Sequence, residues 1–308
     1  ELDRDALLAR ALKDRPVVLG YYFTSDRDGR TSGVLPAPVM QAEALGGRPI
    51  LATRWDGYGA NILPLAEAAP RAGFFNAVTS PDGVVRSLPL LAEHGGRYYE
   101  SLSLAMFRMV LGSPGVEPGF PPERVVGRHY QALESVRLRQ GASTLAIPVD
   151  DRVATLVPFR GPGGPQGGSF TYLSAADVLA GRVAPGLLAN KIVLIGTTAP
   201  GLLDLRVTPV GETYPGVETH ASLIAGLLDG QLLVKPDYAL GYELVMLVVA
   251  GLILALALPL LSAARAVVLS LGVVLVVLGL NTWLYLGHGL VLPLASTLVM
   301  AGVAALML

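Results

Sequence analysis

Hydrophobic and polar positions divide the chain near residue 243. Beyond it, apolar runs at 244–264, 266–286 and 289–308 hold 21, 21 and 20 residues without Asp, Glu, Lys or Arg. Each is as long as the roughly 20 residues that a helix needs to cross about 30 Å of hydrocarbon, so the pattern predicts three transmembrane helices. The joints at 262–265 and 287–289 are short, which makes neighbouring helices antiparallel. No ionisable residue lies mid-span, which argues against a pump, channel or transporter. Gly272 and Gly279, seven apart, and Ala295, Gly302 and Ala304 predict close packing between helices.

Before residue 243 the periods are mixed. Residues 1–15 read as a helix with Leu8, Ala11 and Leu12 on one face and Pro16 ending it. Residues 16–23 read as a buried strand and 50–53 as a short one. The runs 74–79 and 84–91 flank the turn Ser80-Pro81-Asp82-Gly83 and predict a β-hairpin. A second turn, His94-Gly95-Gly96, leads through Tyr98 and Tyr99 into a helix at 101–111. A loop rich in Pro and Gly follows at 112–130. Strands are expected at 137–147, 154–159 and 191–196, a loop at 160–168, and helices at 174–180 and 217–228. On the last helix Val217, Ala221, Ile224, Ala225 and Leu228 share one face. These alternations predict an α/β fold: a single mixed-sheet domain over 1–238, then three transmembrane helices over 239–308.

Charge sharpens the division. Of 47 charged residues only Arg265 lies beyond residue 243. By the positive-inside rule Arg265 marks the cytoplasmic side, which puts the first domain outside the cytoplasm and the third helix running inward. The net charge of −1 gives no basic field for nucleic acid. The absence of Cys excludes disulfides, thiolate metal sites and cysteine nucleophiles. The chain opens on Glu1 and ends inside an apolar run, so it reads as a piece of a longer protein.

Candidate chemistry gathers in the loop after 191–196. Thr197 and Thr198 follow the strand, at the kind of strand end where α/β sheets bind ligands, but without the spacing of a phosphate loop. Asp204 and Arg206 lie two apart and suit an internal ion pair or a polar ligand contact. Glu218 and His220 are spaced to face different sides of a helix, which disfavours a shared metal. No Gly-x-Ser-x-Gly elbow occurs. The ligand-binding candidates are Arg86, Thr197, Thr198, Asp204, Arg206 and His220; no catalytic residue, metal ligand or cofactor is expected.

Several segments together resemble the CHASE2 family of bacterial extracytoplasmic sensory domains. They are Gly73-Phe74-Phe75-Asn76, the run DGVVRSLPL at 82–90, Phe159-Arg160-Gly161, SAADVLAG at 174–181, and above all the stretch 191–228 beginning KIVLIGTTAPG. The resemblance implies a multi-pass receptor of the bacterial inner membrane, with its sensory domain extracytoplasmic. It also implies a membrane helix before the domain, and a cytoplasmic nucleotide cyclase or kinase after the last span. Part of the domain is then expected ahead of Glu1. An extracytoplasmic ligand or protein partner, the lipid bilayer and self-association into a homo-oligomer are the interactions implied. No binding residue transfers from the family. A membrane-anchored ectodomain enzyme and a structural or assembly protein stay open as alternatives.

Overall fold

A computed structural model describes residues 3–25, 28–121, 132–198 and 204–306, and the chain forms two compact units, Glu1–Leu232 and Leu233–Leu308. In the first unit the elements run α1 (Arg4–Leu12), β1 (Leu19–Thr24), β2 (Thr31–Ser32), β3 (Met40–Gln41), β4 (Thr53–Arg54), β5 (Gly57–Gly59), α2 (Leu63–Ala68) and β6 (Ala72–Phe74). There follow β7 (Ser87–Pro89), β8 (Leu91–His94), β9 (Arg97–Glu100), α3 (Leu102–Val110), β10 (Gly115–Gly119), β11 (Ser135–Gln140), β12 (Ser143–Pro148) and β13 (Ala154–Leu156). The unit closes with α4 (Ala175–Leu179), β14 (Leu205–Thr208), β15 (Gly211–Pro215) and α5 (Gly216–Asp229).

The fold is mixed α/β, but the strands divide among several small sheets instead of one. Two have four strands, ordered β2-β5-β1-β6 and β3-β9-β8-β4; the others are β10-β11-β12, β13-β7 and β14-β15. Both four-stranded sheets combine parallel and antiparallel pairs. Strands of two to six residues in a chain with 36 Gly and 23 Pro are too interrupted to extend a common ladder.

Local signals place the turns correctly, while pairing is decided elsewhere. The turn at 80–83 forms: the Gly83 N–H donates to the Ser80 carbonyl at 2.8 Å, and Gly83 has φ +80°. Its arms then part, overturning the expected hairpin. β6 joins β1 in parallel, and β7 joins β13 antiparallel. The predicted strand at 137–147 is itself a hairpin, β11 and β12 folding about Gly141 at φ +60°.

Residues 191–196 correct another expectation. They belong to no strand, and Ile192, Val193 and Ile195 are exposed, Ile195 by 94%. An apolar run alone supplies no neighbouring edge to pair with.

Two clusters of buried side chains fill the unit. The larger joins Leu88, Leu90, Leu104, Phe107, Val136 and Ile147 to Leu223 and Leu227 of α5. The smaller is aromatic: Phe23 stacks on Trp55 at 6.5 Å and meets Phe74 and Tyr99. Asn76 extends β6 beside it, its amide accepting from the Phe23 N–H at 2.7 Å and donating to the Phe23 carbonyl at 2.9 Å. A side-chain amide thus completes the ladder after the strand has ended. Gly73 lets β6 run under α3, since a Cβ there would lie 2.5 Å from the Leu102 Cα.

The second unit contains α6 (Ala239–Ala257), α7 (Ala263–His288) and α8 (Ala295–Leu306). The first, extended by a 3₁₀ turn to Leu260, and the second are long and apolar enough to cross a membrane. The third expected span is a shorter apolar helix. Residues 289–294 ahead of it are not helical, because Gly289 ends α7 in the left-handed conformation and Leu290 bridges to Val234. The first helix starts earlier than expected and takes in Glu243, whose Oε1 accepts from the Ser296 hydroxyl at 2.6 Å. Small residues do line helix contacts, but among the described alanines of this unit Ala239, Ala250, Ala266 and Ala301 are the buried ones. Gly272, Gly279 and Gly302 face open space, and Ala295 is exposed.

Candidate functional site

The hairpin of β14 and β15, with Arg206 opposite Tyr214, feeds the chain directly into α5. Pro215 precedes the helix and offers no side-chain acceptor to its free N–H groups. Asp204 takes that role from across the hairpin. Its carbonyl accepts from the Gly216 N–H at 2.7 Å, and its carboxylate from the Val217 N–H. A carboxylate at a helix N-terminus satisfies orphan donors and complements the dipole. The approach is so close that a Cβ on Gly216 would lie 2.2 Å from Asp204 Oδ1. Burial pushes the Asp204 carboxyl up from its ordinary range, while Arg206 and the Val217 amide pull it back. The Arg206 guanidinium stands 3.8 Å from Asp204, both side chains partly exposed, so the expected ion pair is present in a loose form.

One turn into α5 the polar side chains point inward. This reverses the face read from the sequence: Glu218, Thr219, His220 and Ser222 are buried, whereas Val217, Ala221 and Ala225 are only partly so and Leu228 is exposed. Ile224 alone of the predicted stripe is fully covered. The polar face is tolerated because other elements bring partners to it. His220 Nδ1 meets the Ser103 hydroxyl of α3 at 2.8 Å, and Nε2 the Phe75 carbonyl at 3.3 Å. Since a carbonyl only accepts, the neutral ring carries its proton on Nε2 and accepts at Nδ1. Burial, with a smaller push from Arg206, holds its pKa down to about 4.

Glu218 faces a different set. Its Oε2 accepts from the Gly164 N–H and the Tyr172 hydroxyl, each at 2.6 Å, while Oε1 is buried without a partner. The Tyr172 phenol is pushed well up by burial and by this carboxylate. Tyr214 bonds the Ser222 hydroxyl at 3.0 Å, packs edge-on to Phe159, and is pushed up to about 12, chiefly by burial. Tyr172, Tyr214 and Ser103 carry no sequence signal, because each is recruited by a contact between segments far apart in the chain.

Of the predicted site residues, Asp204, Arg206 and His220 gather at the start of α5. Thr197 and Thr198 are exposed beside it, on a segment whose Gly196 abuts Val217; residues 199–203 of that loop lie outside the described residues. Arg86 belongs elsewhere. Its guanidinium forks onto both oxygens of Asp82 at 2.8 Å, drawing that exposed carboxyl down to about 2.

The Ser103–His220 bond has the form of a nucleophile–base pair but not its access. Ser103 is fully buried, His220 is 5% exposed, and the far ring nitrogen is held by a carbonyl. The cluster instead ties α3, the β14–β15 hairpin and the loop at 160–172 to the first turns of one helix.

No curated protein and no solved structure is detectably similar to the chain. The model of the CHASE2 domain family matches residues 1–258, which takes in the whole first unit, with its Asp204–His220 cluster, and all of α6. On that match the chain belongs to the CHASE2 family of extracytoplasmic sensory domains.

Proposed function

We propose that this chain is the sensory and membrane portion of a bacterial receptor that relays an extracytoplasmic signal to a cytoplasmic output module, a nucleotide cyclase or kinase. The observation that carries the reading is the reach of the family match: it runs to residue 258, through a helix of membrane length. The composition of that unit supports a lipid setting. Apolar side chains stay on the helix surfaces, with Leu240, Leu256 and Val268 each at least 70% exposed, which water would penalise and hydrocarbon would not.

In this reading a ligand or protein partner favours one of two arrangements of the domain, and the membrane helices carry the shift to the output. The start of α5 is the element best placed to respond. It carries His220, receives Asp204 and Arg206 from the β14 segment, and abuts the loop bearing Thr197 and Thr198, with self-association of the receptor completing the relay.

Reporter fusions test the reading directly. A phosphatase that is active only outside the cytoplasm, inserted at 160–168, is expected to be active. A fluorescent protein that folds only in the cytoplasm, fused after Leu308, is expected to glow. An inactive phosphatase in the loop would overturn the extracytoplasmic assignment and the receptor with it.

A further inference from the structure

Away from the start of α5, a cleft of about 350 Å³ opens between the end of β9, α3, β10 and the segments before β3 and β6. Its walls include Pro36, Pro38, Pro70 and Val116, and its charge is unevenly used. Glu100 lines it with a side chain only 14% exposed. Oε1 accepts from Arg108 Nη1 at 2.6 Å, while Oε2 is turned inward without a partner. Arg108 is spent, since its Nε and Nη2 both donate to the Pro114 carbonyl, at 2.9 and 2.8 Å. Arg71, also lining the cleft, is exposed and forms no ion pair among the described residues, although its charge lies close enough to act on Glu100. Burial pushes the Glu100 carboxyl up, with the arginines pulling it back.

A structural ion pair would leave neither an orphan carboxylate oxygen just behind the opening nor, among the described residues, an unpaired guanidinium at its mouth. We propose that this cleft binds a small zwitterion of the α-amino-acid class, its ammonium on Glu100, its carboxylate on Arg71, and a modest apolar group against the prolines and Val116. The cleft lies at the small end of the roughly 300–1,000 Å³ typical of ligand pockets, which suits a single amino acid. An arriving ammonium can draw the carboxylate round, because the terminal carboxyl torsion is soft. Ala105 and Arg108 on this wall belong to α3, the helix whose Ser103 holds His220 of α5. The cleft and the polar start of α5 therefore share one helix. This assignment rests on the receptor reading for its purpose, but its test does not.

The full chain in lipid nanodiscs is melted with each proteinogenic L-amino acid in turn at about 10 mM, where a binder stabilises by mass action. At least one is expected to raise the melting temperature. The matched amine and the matched carboxylate of the best member should each bind at least about tenfold more weakly than the parent. Arg71→Gln and Glu100→Gln should each abolish the shift, and Arg71→Lys should keep part of it. Arg71 is exposed, so its variants report on binding rather than on folding. No shift with any amino acid, a shift that survives both Gln variants, or a decarboxylated amine binding as well as its parent would overturn the proposal. The fusion experiment fails or succeeds independently of these results.

Discussion

Protonation of His220 is the most decisive perturbation of the cluster at α5. The ring is fully enclosed and its pKa lies near 4 in the folded chain, against 6.5 when free. Above pH 6.5 neither state holds the proton and stability is unaffected. Between 6.5 and about 4 the unfolded chain binds a proton that the folded chain refuses, so stability falls as pH falls. Each unit of pH costs up to about 1.4 kcal/mol, giving about 3 kcal/mol across the window. Denaturant unfolding, followed by Trp55 fluorescence in a Trp283→Phe background, measures this near pH 7 and near pH 4.5. His220→Gln is the comparison, since its amide accepts from Ser103 and donates to the Phe75 carbonyl without titrating. The parent is expected to lose about 2–3 kcal/mol more than the variant over that range. Glu100, Asp150 and Asp204, all pushed up by burial, contribute with the opposite sign but are common to both proteins and cancel. Arg206 is the charge that acts on the ring, so Arg206→Gln should shrink the difference. Equal pH slopes in parent and His220→Gln would refute the reasoning.

Two further substitutions probe local close contacts. Gly216→Ala drives a methyl into the Asp204 carboxylate and should cost about 1–3 kcal/mol in the same unfolding assay. Adding Asp204→Ala should recover part of that loss, and strict additivity of the two would remove the steric explanation. Asn76→Ala breaks both bonds to the Phe23 backbone and should destabilise by about 1–3 kcal/mol, whereas Asn76→Asp, keeping only the acceptor, should fall between Ala and the parent. Equal stability of Asn76→Ala and the parent would show that water replaces the amide without loss.

What could be read in advance was local. The first two apolar runs after residue 243 disclose themselves as long helices without reference to a neighbour, as do the turn at 80–83 and the helix over 102–110 capped by Ser101. Pairing could not be read. Residues 74–79 and 84–91 have hairpin composition, yet β1 and β13 compete for them from 53 and 67 residues away, as the register pairs Gly20↔Gly73 and Leu88↔Thr155 show. The inner face of α5 was hidden for the same reason. The stripe from Val217 to Leu228 lies mostly on the outer side, because the partners that draw Glu218 and His220 inward come from Gly164, Tyr172, Ser103 and Phe75. No pattern within 217–228 announces them. The Asp204–Arg206 pair is legible because the two lie two apart, whereas the fork of Arg86 onto Asp82 depends on the turn at 80–83 that brings them together.

The two halves of α5 meet water on different terms. Lifting its first turns away from the protein would uncover Glu218, His220 and Ser222, whose lost hydrogen bonds solvent can replace, and Thr219, whose buried hydroxyl has no partner to lose. Lifting its last turns would uncover Leu223, Ile224 and Leu227, at about 1.5–3 kcal/mol for each side chain fully exposed. Resistance to displacement is thus concentrated toward the C-terminal end of the helix. The energetically inexpensive motion is a tilt about Leu223–Leu227, with the Asp204-capped end swinging and its polar face rehydrating as it moves.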